Sequence, residues 1–134
     1  MANLTQLVKD MYAAFGRGDI PAIMSHVADD VSWEAEGPAE MVFTGIRHGA
    51  QETLGFFQGI AQEHGDPNLQ MAEFIESGDS VAVFGRYQAT VKKTGRRVDT
   101  PLAHLWKFRN GKVVRYVNFV DTAAFVEAAK SAGA

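Results

Sequence analysis

Apolar positions along this chain change their period once, from helical in the first half to alternating in the second. Leu4, Leu7, Val8, Met11 and Phe15 recur at helical spacing, so the first segment is an amphipathic helix that Gly16 and Gly18 end. Asp19 is placed to cap a second, short helix through about His26, with Pro21 tolerated in its first turn. Val31, Trp33 and Ala35 alternate with Ser32, Glu34 and Glu36, which predicts a strand, and residues 37–49 read as a loop. Ala50, Leu54, Phe57, Ile60 and Ala61 form the stripe of a third helix, closed by Gly65-Asp66-Pro67. After it come only strands and tight turns. Strands are expected over residues 70–76 and 81–91, with turns at Ser77-Gly78-Asp79 and Lys93-Thr94-Gly95-Arg96. A hairpin over residues 101–121 follows, and Asp121 is placed to cap a last helix over residues 122–130.

The hairpin carries the candidate chemistry, so its register matters: a slip of one residue turns every side chain to the other face. Asn110-Gly111 marks the turn. A two-residue loop would set His104 opposite Val117 and bring Arg115 onto the face of Trp106 and Phe108. A three-residue loop, Arg109-Asn110-Gly111, sets His104 opposite Tyr116 and Leu102 opposite Asn118. The second register is preferred because it keeps Lys107 and Arg115 off the aromatic face. One face then reads Leu102, His104, Trp106, Phe108 with Val114, Tyr116, Asn118, Val120. The other carries Ala103, Leu105, Val113, Val117 and Phe119, a strip apolar enough to call for a cover.

Helices first and an antiparallel meander last make an α+β pattern, a curved sheet wrapped on helices with a hollow at one end. The 134 residues are read as a single domain spanning 1–134. A net charge of −3 gives no electrostatic case for nucleic acid or an anionic membrane. The absence of cysteine excludes disulfides, thiolate nucleophiles and zinc–thiolate sites. No apolar run is long enough to span a membrane and the first residues do not read as a secretory leader, so a cytoplasmic location is expected.

Other chemistries lack their parts. His26, His48, His64 and His104 form no metal-ligand spacing, no phosphate loop occurs, and no Ser-His-acid pattern is evident. No cofactor and no metal are implied. His104 remains, on an apolar face with Asn118, and its imidazole could act as acid or base near neutral pH. Asn118 could orient it or donate to an oxyanion, but cannot be a base. Trp33, Phe84, Trp106 and Tyr116 are candidate pocket walls, and Tyr12 and Arg86 candidate inward polar groups. Core packing is the competing reading of His104, Trp33 and Tyr12, a solvated strand that of Arg86, and a helix cap that of Asp121.

Tyr12-Ala13-Ala14-Phe15-Gly16-Arg17-Gly18-Asp19 and Ala28-Asp29-Asp30-Val31-Ser32-Trp33 resemble the SnoaL-like branch of the nuclear transport factor 2-like superfamily. So do Gly78-Asp79-Ser80-Val81, Thr94-Gly95-Arg96, His104, and the run from Asn110-Gly111-Lys112 to Asp121-Thr122. The resemblance implies a cystatin-like cone, a bent antiparallel sheet around three N-terminal helices with a short C-terminal helix and a pocket at the wide mouth. It also implies homodimers. The carboxylate base and oxyanion donors of ketosteroid isomerases match Ala35, Met11 and Ala103, and the relay of limonene-epoxide hydrolases matches Gln88, Arg86 and Asn118. The His and Asp of the polyketide cyclases match His104 and Asn118. Each comparison loses its acids. The expected function is binding of an apolar or aromatic small molecule, with acid–base isomerisation, cyclisation or dehydration as its chemistry. The alternative is a non-catalytic binding or dimerisation module, with a homodimer formed through the outer sheet face in either case.

Overall fold

The computed structural model describes residues 3–130. Asn3 caps α1 (Leu4–Gly16) by accepting from the Gln6 amide at 3.0 Å. Asp19 caps the short α2 (Ile20–Met24) by accepting from Ala22. Then follow β1 (Val27–Ala35), β2 (Gly45–His48), α3 (Gly49–Glu63), β3 (His64–Ser77), β4 (Ser80–Val91), β5 (Arg96–Arg109), β6 (Lys112–Val120) and α4 (Thr122–Ala128). The six strands form one sheet in the order β2-β1-β6-β5-β4-β3, antiparallel except for the parallel β1–β6 pair. α1 packs on β3 and β4, and α3 packs on β1, so the core fills the space between these helices and one face of the sheet. Among the described residues no helix is long and apolar enough to cross a membrane.

Several elements differ from expectation. The 37–49 loop contains β2, an edge strand too short to show a period. β1 starts at Val27, because its register shifts between Val27 and Ser32 and hides the alternation. β3 starts at His64 and runs through Pro67; it is an edge strand, where a residue without N–H is tolerated. β5 begins at Arg96 rather than at the expected hairpin, and α4 ends at Ala128.

The hairpin register is also corrected. Arg109 pairs with Lys112, so the loop is the two residues Asn110 and Gly111, with φ of 52° and 75°. The register shifts between Lys107 and Phe108, leaving Val114 as the extra residue. Beyond that bulge His104 lies directly opposite Asn118, and Trp106 opposite Tyr116. The inward face is therefore the expected one from Tyr116 onward. Next to the turn, Val113 rather than Val114 is the fully buried residue.

β4 fits against β3 only through Gly85. A Cβ there would stand 2.2 Å from the Gln70 carbonyl oxygen, beside the register shift between Met71 and Glu73. A glycine at this point lets the two backbones close where the sheet bends.

Candidate functional site

Strand pairing assembles the inner wall of the cone. The β5–β6 ladder sets His104 against Asn118, and the parallel β1–β6 pair sets Trp33 beside Tyr116 and Ala35 beside Asn118. α1 brings Tyr12 across the hollow. Its hydroxyl lies 2.6 Å from His104 Nδ1, and His104 Nε2 lies 2.9 Å from Asn118 Oδ1. Trp106 Nε1 donates to Tyr12 Oη at 2.9 Å. A neutral imidazole has one donor and one acceptor, which fixes the direction of the chain. Trp106 N–H donates to Tyr12, Tyr12 O–H donates to Nδ1, and Nε2–H donates to Asn118. Trp33 stacks on Tyr116 with ring centroids 4.0 Å apart, and both Trp33 and Tyr116 pack against Phe56.

These rings line a partly open hollow leaving about 60 Å³ of room for the centres of water-sized molecules. That is enough for a few waters and small for a drug-sized ligand unless side chains move. Aromatic and aliphatic residues line most of it, with His104, Asn118, Tyr12, Tyr116, His64 and Tyr87 as its polar members and no Asp or Glu. Burial pushes the His104 pKa down to about 3, with the Asn118 hydrogen bond pulling weakly the other way. Burial also holds the Tyr12 and Tyr116 phenols protonated, above their ordinary range. His104 is therefore a neutral imidazole with both nitrogens engaged. Among the described residues, Trp33 Nε1 is enclosed without a partner, while the Tyr116 hydroxyl and the Asn118 amide nitrogen have no protein partner. No group of three His, Asp or Glu among the described residues could hold a metal ion.

Residues 8–116 match the family profile of the SnoaL-like domain. The chain belongs to the SnoaL-like family. Solved structures agree. A nuclear transport factor 2-like protein from Burkholderia pseudomallei is 31% identical over 98% of this chain and all of that one, with a TM-score of 0.91. TerC, co-crystallised with polyporic acid, is 31% identical over 94% of this chain and 97% of its own, with a TM-score of 0.85. A protein of ketosteroid isomerase-like fold from Catenulispora acidiphila, in complex with trimethylamine, is 14% identical over 91% of this chain and 90% of its own, with a TM-score of 0.77, and shares the fold. No curated protein matches the chain.

Within this SnoaL-like cone, six of the eight residues expected at the site line the hollow: Tyr12, Trp33, His104, Trp106, Tyr116 and Asn118. Phe84 and Arg86 do not. Val81, Val83, Tyr87, Ala89 and Val91 point inward along β4, so even-numbered positions face out, and Phe84 is 43% exposed. Arg86 pairs with Asp99 at 2.9 Å on that outer face, and Gln88 bonds the same carboxylate. The residues matched to the epoxide-hydrolase relay thus lie on opposite sides of the sheet. Met11 and Ala35 are buried and apolar, and Ala103 faces out; the tyrosine hydroxyl reaching the site comes from Tyr12, next to Met11. His64, Tyr87, Phe43 and Phe125 also line the hollow and were not anticipated. The alternation along β4 carried a signal for Tyr87. Nothing local marked His64, which sits where α3 passes into β3.

Proposed function

We propose that this SnoaL-like protein binds a neutral aromatic small molecule carrying an acceptor oxygen, with the rings in the hollow and the oxygen toward Asn118 and Tyr116. One observation carries the reading. The wall beside the His104 chain offers unpartnered donors, the Asn118 amide and the Tyr116 hydroxyl, in an aromatic cavity with no carboxylate. Such a wall favours carbonyl, phenol or enol oxygens and disfavours cations. The free room is small, so a two-ring ligand is accommodated by displacement of side chains at the wall. TerC's co-crystallisation with polyporic acid supports an aromatic ligand class.

Acid–base isomerisation, cyclisation or dehydration is the second reading, favoured by the 2.6 Å contact between Tyr12 and His104. The substrate proton would pass to Tyr12 Oη as the phenolic proton moves to His104 Nδ1, leaving an imidazolium, which burial disfavours and only the adjacent substrate anion held by Asn118 would offset. The outer face of the sheet supports a homodimer. Phe84, Ala103 and Phe119 stand in one row across β4, β5 and β6, flanked by Leu105 and Val117. Phe84 and Phe119 are 43% and 48% exposed, which a two-fold pairing of sheets would cover. Val113, expected in this strip, faces the core instead, and Val117 is already buried within the single chain, so neither leaves apolar surface to cover.

Calorimetry with 2-naphthol and naphthalene tests the binding reading. The expected outcome is tighter binding of 2-naphthol, with the advantage reduced about two- to tenfold in Tyr116→Phe or Asn118→Leu, the worth of one net hydrogen bond. Equal affinity for the two compounds, or no binding of either, overturns it. A substrate screen with wild type and His104→Gln separates the two readings: turnover lost with binding retained selects the enzyme.

A further inference from the structure

The hollow has a second polar station that the reading above does not use. His64 and Tyr87 are 4% and 8% exposed, and His64 Nδ1 lies 2.9 Å from the Tyr87 hydroxyl. Both line the same hollow as His104. The pair is framed by aromatic rings: Phe125 of α4 stacks on His64 at 4.9 Å, and Phe43 meets it edge-on at 5.1 Å. The Nδ1 contact engages one ring nitrogen, and among the described residues no hydrogen bond joins His64 Nε2 to a protein group. Whichever nitrogen carries the proton, the pair can still bond a ligand hydroxyl, which both donates and accepts.

Strand register separates this station from the first. Tyr87 stands four residues along β4 from Val83, the residue paired with His104, and that ladder has no register shift. Four residues are an even number, so both stations face inward, up to about 13 Å apart at about 3.3 Å per residue. Between them lie the apolar Leu102 and the bend at Gly85.

We propose that His64 and Tyr87 form a second binding subsite, so that the cavity takes an elongated aromatic compound with a hydroxyl or carbonyl oxygen at each end. One oxygen sits at Asn118 and Tyr116, the other at His64 and Tyr87, with the rings between. This rests on the aromatic-ligand reading above and adds to it the length and the second polar group of the ligand. Phe125 and His64 border both the inner hollow and an outer cleft, so the second subsite stands between the two.

The experiment compares 2-naphthol with 2,6-dihydroxynaphthalene by calorimetry on wild type, His64→Phe and Tyr87→Phe, each checked for folding by circular dichroism and thermal melting. In wild type the second hydroxyl is expected to improve affinity roughly two- to tenfold. In His64→Phe that gain, measured as the ratio of the two affinities in the same variant, disappears. Tyr87→Phe keeps the ring shape and is expected to lose part of the gain, which guards against a folding defect in the His64 variant. If 2-naphthol binds and the second hydroxyl adds nothing, or its gain survives in His64→Phe, the subsite is refuted while the binding reading stands. If neither compound binds, the binding reading falls and the subsite with it.

Discussion

His104 and His64 are the histidines that burial holds neutral in the folded protein. Burial lowers their pKa values to about 3 and about 4, against an ordinary value near 6.5. Between these limits the unfolded chain takes up protons that the folded protein refuses. The folded state therefore loses stability as pH falls below about 6.5, by about 1.4 kcal/mol per pH unit for each histidine. The His64 contribution stops growing near pH 4 and the His104 contribution near pH 3. Urea unfolding at pH 7 and pH 5 measures this, and His64→Phe is expected to remove close to half of the histidine part of the slope. An unchanged slope would show that His64 titrates normally in the folded protein. Residue identity made His104 a candidate from the sequence because it stands alone between Leu102 and Trp106 on an alternating strand. His64 offered no such context. Its partner Tyr87 is 23 residues away, and only the β3–β4 pairing brings the two together.

At the scale of elements, the site depends on where strands bend and bulge. Gly85 is the sharpest case: adding a methyl group drives it into the Gln70 carbonyl, with no flexible side chain to yield. Gly85→Ala is expected to cost about 1–3 kcal/mol, the range of overpacking penalties, read as a lowered urea midpoint at an unchanged m-value. A variant as stable as wild type would mean that the sheet does not need its close approach there. The helices were legible because each has a repeating stripe and a cap or stop, as at Asp19 and Asp121. The hairpin faces were legible too, since charge could be kept off the aromatic side. Its turn was not. The two-residue loop of Asn110 and Gly111 and the bulge at Val114 each move the pairing by one residue in the same sense, so the faces are as expected while His104 meets Asn118 instead of Tyr116, and the sequence pattern beyond the turn is the same for either.

For the whole molecule, the outer face of the sheet is the feature left to explain. If Phe84 and Phe119 seal a two-fold interface, sedimentation at micromolar concentration shows a dimer, and the double variant Phe84→Glu, Phe119→Glu gives a folded monomer. A monomeric wild type would refute the interface. The sequence by itself determined the α+β class and the inward placement of His104 and Asn118, because hydrophobic period and strand parity are local properties that survive without coordinates, and its motif runs carried the resemblance to the family. Tertiary structure decided the rest. Tyr12 reaches His104 across 92 positions, and Phe84 turns outward while Tyr87 turns inward. A second polar pair stands at the other end of the same hollow. These depend on how a bent sheet closes over helices, which sets distances between residues far apart in the chain and leaves no mark on the pattern at either one.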